Sequence, residues 1–177
     1  MKIVIYTLFI VASLFLGSAT AKEQSMKDLQ IKIAEVSPSG VITVEVSNTS
    51  IYPIKVWQEA NSWGAARWRV LRIRKGQLET FFQNPNQHFT RNIPTFSEIA
   101  GGAHIKQKLD LNGGNWCGFG HCSSFDEYGF LGQEVSFEQN DIIVVTYDVP
   151  FTNEAVNMGV WYGVAAALME DNGIKRK

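Results

Sequence analysis

Cysteine is scarce in this chain. Its 177 residues hold two, Cys117 and Cys122, so the fold must rest on a packed core rather than on many covalent staples. Their spacing is also not that of a zinc finger. An excess of one charge is missing as well: 16 Lys and Arg face 17 Asp and Glu. That argues against a dedicated nucleic-acid binder, which needs a basic surplus to displace counterions. Beyond the first 21 residues no apolar run is long enough to span a membrane. Neither a His-Glu-x-x-His helix motif nor a Gly-x-Ser-x-Gly nucleophile turn occurs. Helical periodicity is almost absent, and no internal repeat, low-complexity tract or linker divides the chain.

What is present begins with MKIVIYTLFIVASLFLGSATA. Met1 and Lys2 give a positive start, Ile3 to Leu16 is a short apolar run, and Ala19-Thr20-Ala21 is a small-residue cleavage site. Residues 1–21 therefore read as a secretory signal peptide, with the mature chain starting near Lys22. No Cys stands at the cleavage site to carry a lipid, so the expected product is soluble, secreted or periplasmic. The remaining stretch of about 156 residues, 22–177, has the size of one domain. Removing Lys2 leaves 15 basic against 17 acidic residues, a net charge of −2. In an oxidising compartment Cys117 and Cys122 are expected to form a disulfide, and so small a loop gains only about 2 kcal/mol from closure.

The mature chain consists of short alternating runs between turn signals. Leu29, Ile31 and Ile33 alternate with polar residues, Pro38-Ser39-Gly40 turns, and Ile42, Val44 and Val46 alternate again, which predicts a hairpin. Further strands are expected at Ile54 to Trp57, Arg67 to Lys75, Leu78 to Phe82, Pro94 to Ala100, Ala103 to Leu111, Ile142 to Val149 and Gly159 to Leu168. Thr152 to Asn157 is the one expected helical turn, capped by Thr152. In WRVLRIRK the apolar phase slips between Val70 and Leu71, which predicts a β-bulge near Val70. The basic tail Lys175-Arg176-Lys177 is expected to be disordered. About eight or nine short strands at this spacing predict an all-β antiparallel sandwich or barrel. Three long connections, Gln58 to Ala66, Gln83 to Asn92 and Asn112 to Glu134, are expected to share one end if Pro94 to Ala100 is a strand.

Three segments carry a resemblance. VEVSNTS precedes a Pro and an apolar strand; IAGG precedes AHIKQKLDL; and NDIIVVTYDV precedes the closing GVWYG. In this order they resemble the bacterial immunoglobulin-like sandwiches of extracytoplasmic proteins, and the resemblance covers most of the mature chain. It implies an immunoglobulin-like antiparallel β-sandwich. The layout is also similar to that of the small proteinase-inhibitor-type domain, although no inhibitory loop maps residue by residue.

The chemistry-bearing residues assemble no catalytic set. Trp116-Cys117-Gly118 and His121-Cys122 echo a thiol-disulfide motif, but four residues separate the cysteines and no helix signal follows. His88, His104 and His121 stand in no motif. Zinc at the cysteines would need further ligands such as His104 or His88, and a copper or zinc site between His88 and His121 needs their loops to meet. Asp126-Glu127 are loop neighbours, not carboxyls placed across a cleft. Arg67, Arg69, Arg72, Arg74 and Lys75 form either a cationic stripe or cross-strand pairs with Glu45, Glu59 or Glu79. Asn48-Thr49-Ser50 is a glycosylation sequon.

The expected function is a secreted non-enzymatic binding module that recognises a protein or glycan through its long loops. It needs no metal and no cofactor, and it does not bind nucleic acid. Trp63, Phe89, Arg91, Trp116, Phe119 and His121 are the candidate binding residues, because loop aromatics and cations make partner hot spots. The alternative rings are ones folded back over the sandwich end. The competing functions are a sandwich-type proteinase inhibitor acting through Gln83 to Asn92, and a metal-binding or redox protein centred on the Cys117–Cys122 loop.

Overall fold

The computed structural model describes residues 28–59, 61–84, 93–113, 116–118 and 134–170. The first half of the chain forms β1 (Leu29–Val36), β2 (Val41–Asn48), β3 (Ile54–Trp57), β4 (Trp68–Arg74) and β5 (Gln77–Gln83). It continues with β6 (Phe96–Ile99), β7 (His104–Asp110), β8 (Trp116–Gly118), β9 (Ile142–Val149), the helix α1 (Asn153–Met158) and β10 (Gly163–Met169). These elements make an all-β fold of antiparallel sheets that fits a sandwich. The sheet orders are β1-β2-β7, β10-β9-β4-β5-β8 and the two-stranded β3-β6. The leader 1–21 and the tail Lys175–Lys177 lie outside the described residues.

Strict alternation builds the core. Ile42, Val44 and Val46 on β2 and Ile143, Val145, Tyr147 and Val149 on β9 turn inward, and all are buried. Trp68 and Val70 on β4 join them, and Trp161 fills the space beside Tyr147, its ring centroid 6.0 Å away. The hairpin joining β4 to β5 is the two-residue turn Lys75-Gly76, at φ 51° and 78°. Positive φ at both positions matches the twist of the flanking strands.

The bulge expected near Val70 is absent. Pairing of β4 with β5 and with β9 runs without a shift. The inner position after Val70 is taken by Arg72, which is buried, while Leu71 and Ile73 face outward. Arg72 can occupy that position because its Nε donates to Glu79 and its Nη1 to the Ser136 carbonyl. The register slip falls instead in β1, between Ile33 and Glu35, and returns Val36 to the inside.

The helix forms where Thr152 caps it: Thr152 Oγ1 accepts from Ala155 N at 3.1 Å. Its end sets a second correction. The closing strand begins at Gly163 rather than Gly159, because Gly159 (φ 64°) is the left-handed cap of α1. Val160 then makes a lone parallel bridge to Lys55. Within the connection Asn112 to Glu134 lies β8, a strand too short for its alternation to register in sequence. No helix among the described residues is long and apolar enough to cross a membrane.

Candidate functional site

Strands from all three sheets meet around a cleft of about 360 Å³, within the size range of small-ligand pockets. Its floor is Val46 (β2), Val56 and Trp57 (β3), Trp68 (β4) and Tyr147 (β9); its rim is Gln58, Glu59, Ser97, Ile105 and Gln107. The floor is apolar because β2, β4 and β9 contribute inward residues and both Val56 and Trp57 of β3 are buried. The rim is polar because β3 runs directly into Gln58-Glu59. The aromatic floor is tightly coupled: the rings of Trp68 and Tyr147 lie 4.6 Å apart at a 38° tilt.

Among the described residues Glu59 is the one carboxylate lining this cleft. Gln83 Nε2 donates to its Oε2 at 3.3 Å. Its Oε1 is sealed from water and has no partner among the described residues. Burial raises the Glu59 carboxyl above its ordinary value, against hydrogen bonds from the Gln83 and Trp68 side chains. Burial likewise pushes the Tyr147 hydroxyl well above its usual range; the Glu59 charge adds to this and Arg67 opposes it. A desolvated acid in a cleft is a candidate functional residue.

The loop carrying Glu59 is firmly built. Buried Asn61 accepts from Trp63 N at 3.0 Å and Gly64 N at 2.9 Å through Oδ1, and its Nδ2 donates to Thr95 O at 3.0 Å. Gly64 is required there: a Cβ would stand 2.0 Å from the Gln58 carbonyl oxygen. Gln83 ties this loop to its neighbours. Its Oε1 accepts from Trp68 N at 3.2 Å, its Nε2 reaches Glu59, and its backbone is the ladder partner of Trp116. Described parts of the three long connections thus meet at Gln83.

Of the sequence-derived candidates, Trp63 is half-buried with its ring 6.1 Å from that of Trp57, just behind the cleft. Trp116 is a buried core residue on β8. Both rings fold back onto the body of the domain. Phe89, Arg91, Phe119 and His121 lie outside the described residues, as do His88, Cys122, Asp126 and Glu127. Cys117 is buried and is not a free thiol. Among the described residues no group of three His, Cys, Asp or Glu could hold a metal ion, and His104 stands exposed, 3.9 Å from Glu45. The cleft residues missed from sequence are Trp57, Glu59, Trp68 and Tyr147, with Gln83 behind them. The readable signal was the polar pair Gln58-Glu59 set between Trp57 and Trp63.

Two other sequence features resolve structurally. Two residues of the basic strand are ion-paired: Arg72 with Glu79, and Arg74 with Asp141 and Glu138. A second cavity of about 280 Å³ beside them is lined by Arg72, Arg74, Glu79 and Glu134, so its charges are largely cancelled. The sequon asparagine is consumed by the fold. Asn48 is 1% exposed; its Nδ2 donates to Tyr52 O at 2.6 Å and Ile99 O at 2.9 Å, and its Oδ1 accepts from Ser50. Both amide protons are used, so a glycan at Asn48 is incompatible with the folded domain. No protein-family model, curated protein or solved structure matches this chain.

Proposed function

We propose that the protein is a secreted, non-enzymatic binding domain that takes a cationic side chain of a protein partner into the aromatic cleft. Its antiparallel sheets fit a β-sandwich, and residues 1–21 read as a secretory leader. The observation that carries the reading is Glu59, a desolvated carboxylate with an unpaired oxygen in a cleft walled by Trp57, Trp68 and Tyr147. A lysine ammonium entering the cleft brings a charge that both the Glu59 carboxylate and the aromatic rings attract. The aliphatic walls Val46, Val56 and Ile105 suit its methylene stem.

A glycan is less suited. Sugars stack on ring faces laid open to solvent, whereas Trp57, Trp68 and Tyr147 are all buried.

The test is titration with n-butylammonium chloride, read by tryptophan fluorescence, beside n-butanol and glucosamine. Saturable binding of the ammonium alone, lost in Glu59→Gln, is expected. An equal response to butanol, or no response to butylammonium, overturns the cationic reading; a response to glucosamine alone returns the glycan.

A further inference from the structure

The five-stranded sheet carries apolar residues on both faces, and among the described residues only the inner one is buried in the core. Its inner face carries Val70, Ile143, Val145 and Ala165. Its outer face follows from the uninterrupted registers. Leu168 lies beside Val144 and Val144 beside Leu71; in the next row Ile142 lies beside Ile73 and Ile73 beside Leu78. Val164 and Leu168 on β10 and Leu78 on β5 are 62%, 58% and 62% exposed. Leu71, Ile73, Ile142 and Val144 between them are half-buried neighbours on the strand surface. A solvated sheet face ordinarily alternates to polar residues. An exposed apolar surface of this extent marks an interaction site.

We infer that this face is the interface of a two-fold homodimer. Two arguments select a second copy as the occupant. The first is area. Four strands at about 4.8 Å spacing and about seven residues at 3.3 Å give a footprint of about 20 by 23 Å. Two such surfaces, with their side-chain relief, bury on the order of 1,200 Å², the lower bound for a stable association. The second is charge. Arg69 on β4 and Asp148 on β9 stand at the same end of the patch; Asp148 already sits in the field of Arg67 beside it, while Arg69 forms no ion pair among the described residues. A two-fold axis running along the strands between β9 and β4 lays β9 of one copy over β4 of the other. Leu71 then packs on Val144 of the second copy and Ile73 on its Ile142. Arg69 comes within side-chain reach of the second copy's Asp148, and the symmetry makes that contact twice.

Sedimentation velocity of the purified protein tests this, with circular dichroism as the control for folding. A dimer is expected at about 100 µM. Leu71→Lys is expected to give a folded monomer, and Leu168→Lys, at an exposed edge position, to weaken the dimer. Arg69→Asp and Asp148→Arg should each weaken association by roughly tenfold, and the double variant should recover it. That recovery would not arise from damage to the fold. A monomeric wild type at this concentration, a dimer that survives Leu71→Lys, or a double variant as weak as the singles overturns the proposal.

Discussion

Arg74 grips Asp141 at two points: Nε donates to Oδ1 at 2.8 Å and Nη2 to Oδ2 at 2.6 Å. Asp141 is buried, and its Oδ2 also accepts from Glu138 N at 2.8 Å. The pair pins the turn before β9 to the end of β4, next to the cross-strand pair of Arg72 with Glu79. The same turn supplies Ser136, whose carbonyl accepts from both arginines.

This pair sets an acid-side stability limit. Burial alone raises the Asp141 carboxyl, but the Arg74 hydrogen bond, the Glu138 backbone N–H and the nearby arginine charges outweigh it, and the net shift is downward. A folded-state pKa below the unfolded one gives stability that is present above about pH 4 and lost as pH falls through the folded value. Asp141→Asn is expected to cost about 2 kcal/mol at neutral pH and to flatten this acid-side loss. Urea midpoints measured between about pH 2 and pH 7 check both.

Glu59 acts with the opposite sign. Its carboxyl is raised above the ordinary 4.5, chiefly by burial. The folded protein therefore holds this proton more tightly than the unfolded chain does. Stability from this group is full below about pH 4.5 and declines as pH rises through the folded value. Glu59→Gln should melt a few degrees above wild type at pH 7.5 and converge with it near pH 4. A calorimetric pH series in which the two proteins stay parallel would remove the desolvated-acid account of the cleft.

Trp116 and Gln58 separate stability from binding. Trp116 is a buried core ring, so Trp116→Ala is expected to cost about 3–5 kcal/mol and is a poor probe of recognition. Gln58 is an exposed rim residue, so Gln58→Ala should stay within about 0.5 kcal/mol of wild type. Its effect should appear in butylammonium titrations instead. Denaturant curves beside those titrations show whether the two effects divide this way.

Two glycines with similar backbone angles should respond differently to alanine. Gly40 (φ 80°) would place a Cβ 2.4 Å from the Val135 carbonyl oxygen and 2.6 Å from Asn112 Nδ2. Gly76 (φ 78°) faces open space. Gly76→Ala is expected to cost about 1 kcal/mol, the backbone penalty alone. Gly40→Ala should cost clearly more, because the backbone contact cannot give way without moving Asn112 and Val135. Equal melting temperatures for the two variants would contradict this.

Much of the fold is legible in the residues. The alternation of Leu29 to Ile33 and Ile42 to Val46, the Pro38-Ser39-Gly40 turn and the Thr152 cap are local, and local rules read them. The site is not legible in this way. Trp57, Glu59, Trp68, Gln83 and Tyr147 are spread over 91 positions of chain, and only sheet pairing brings them together. Trp68 and Tyr147 read as ordinary inward strand residues because that is also what they are.

The sequence by itself determined most strand positions, their inward faces and the helix, because period, turn chemistry and capping act over a few residues. Tertiary structure alone decided what the slip at Val70-Leu71 means. A bulge and a buried arginine fit that sequence equally well, and the choice fell on Arg72 because Glu79 and the distant Ser136 carbonyl are there to satisfy it. The same long-range decision turned Leu71 and Ile73 outward, closed Asn48 to modification and sealed one oxygen of Glu59 in the cleft. Burial and hydrogen-bond satisfaction depend on partners far along the chain, and only the folded sheets supply those partners.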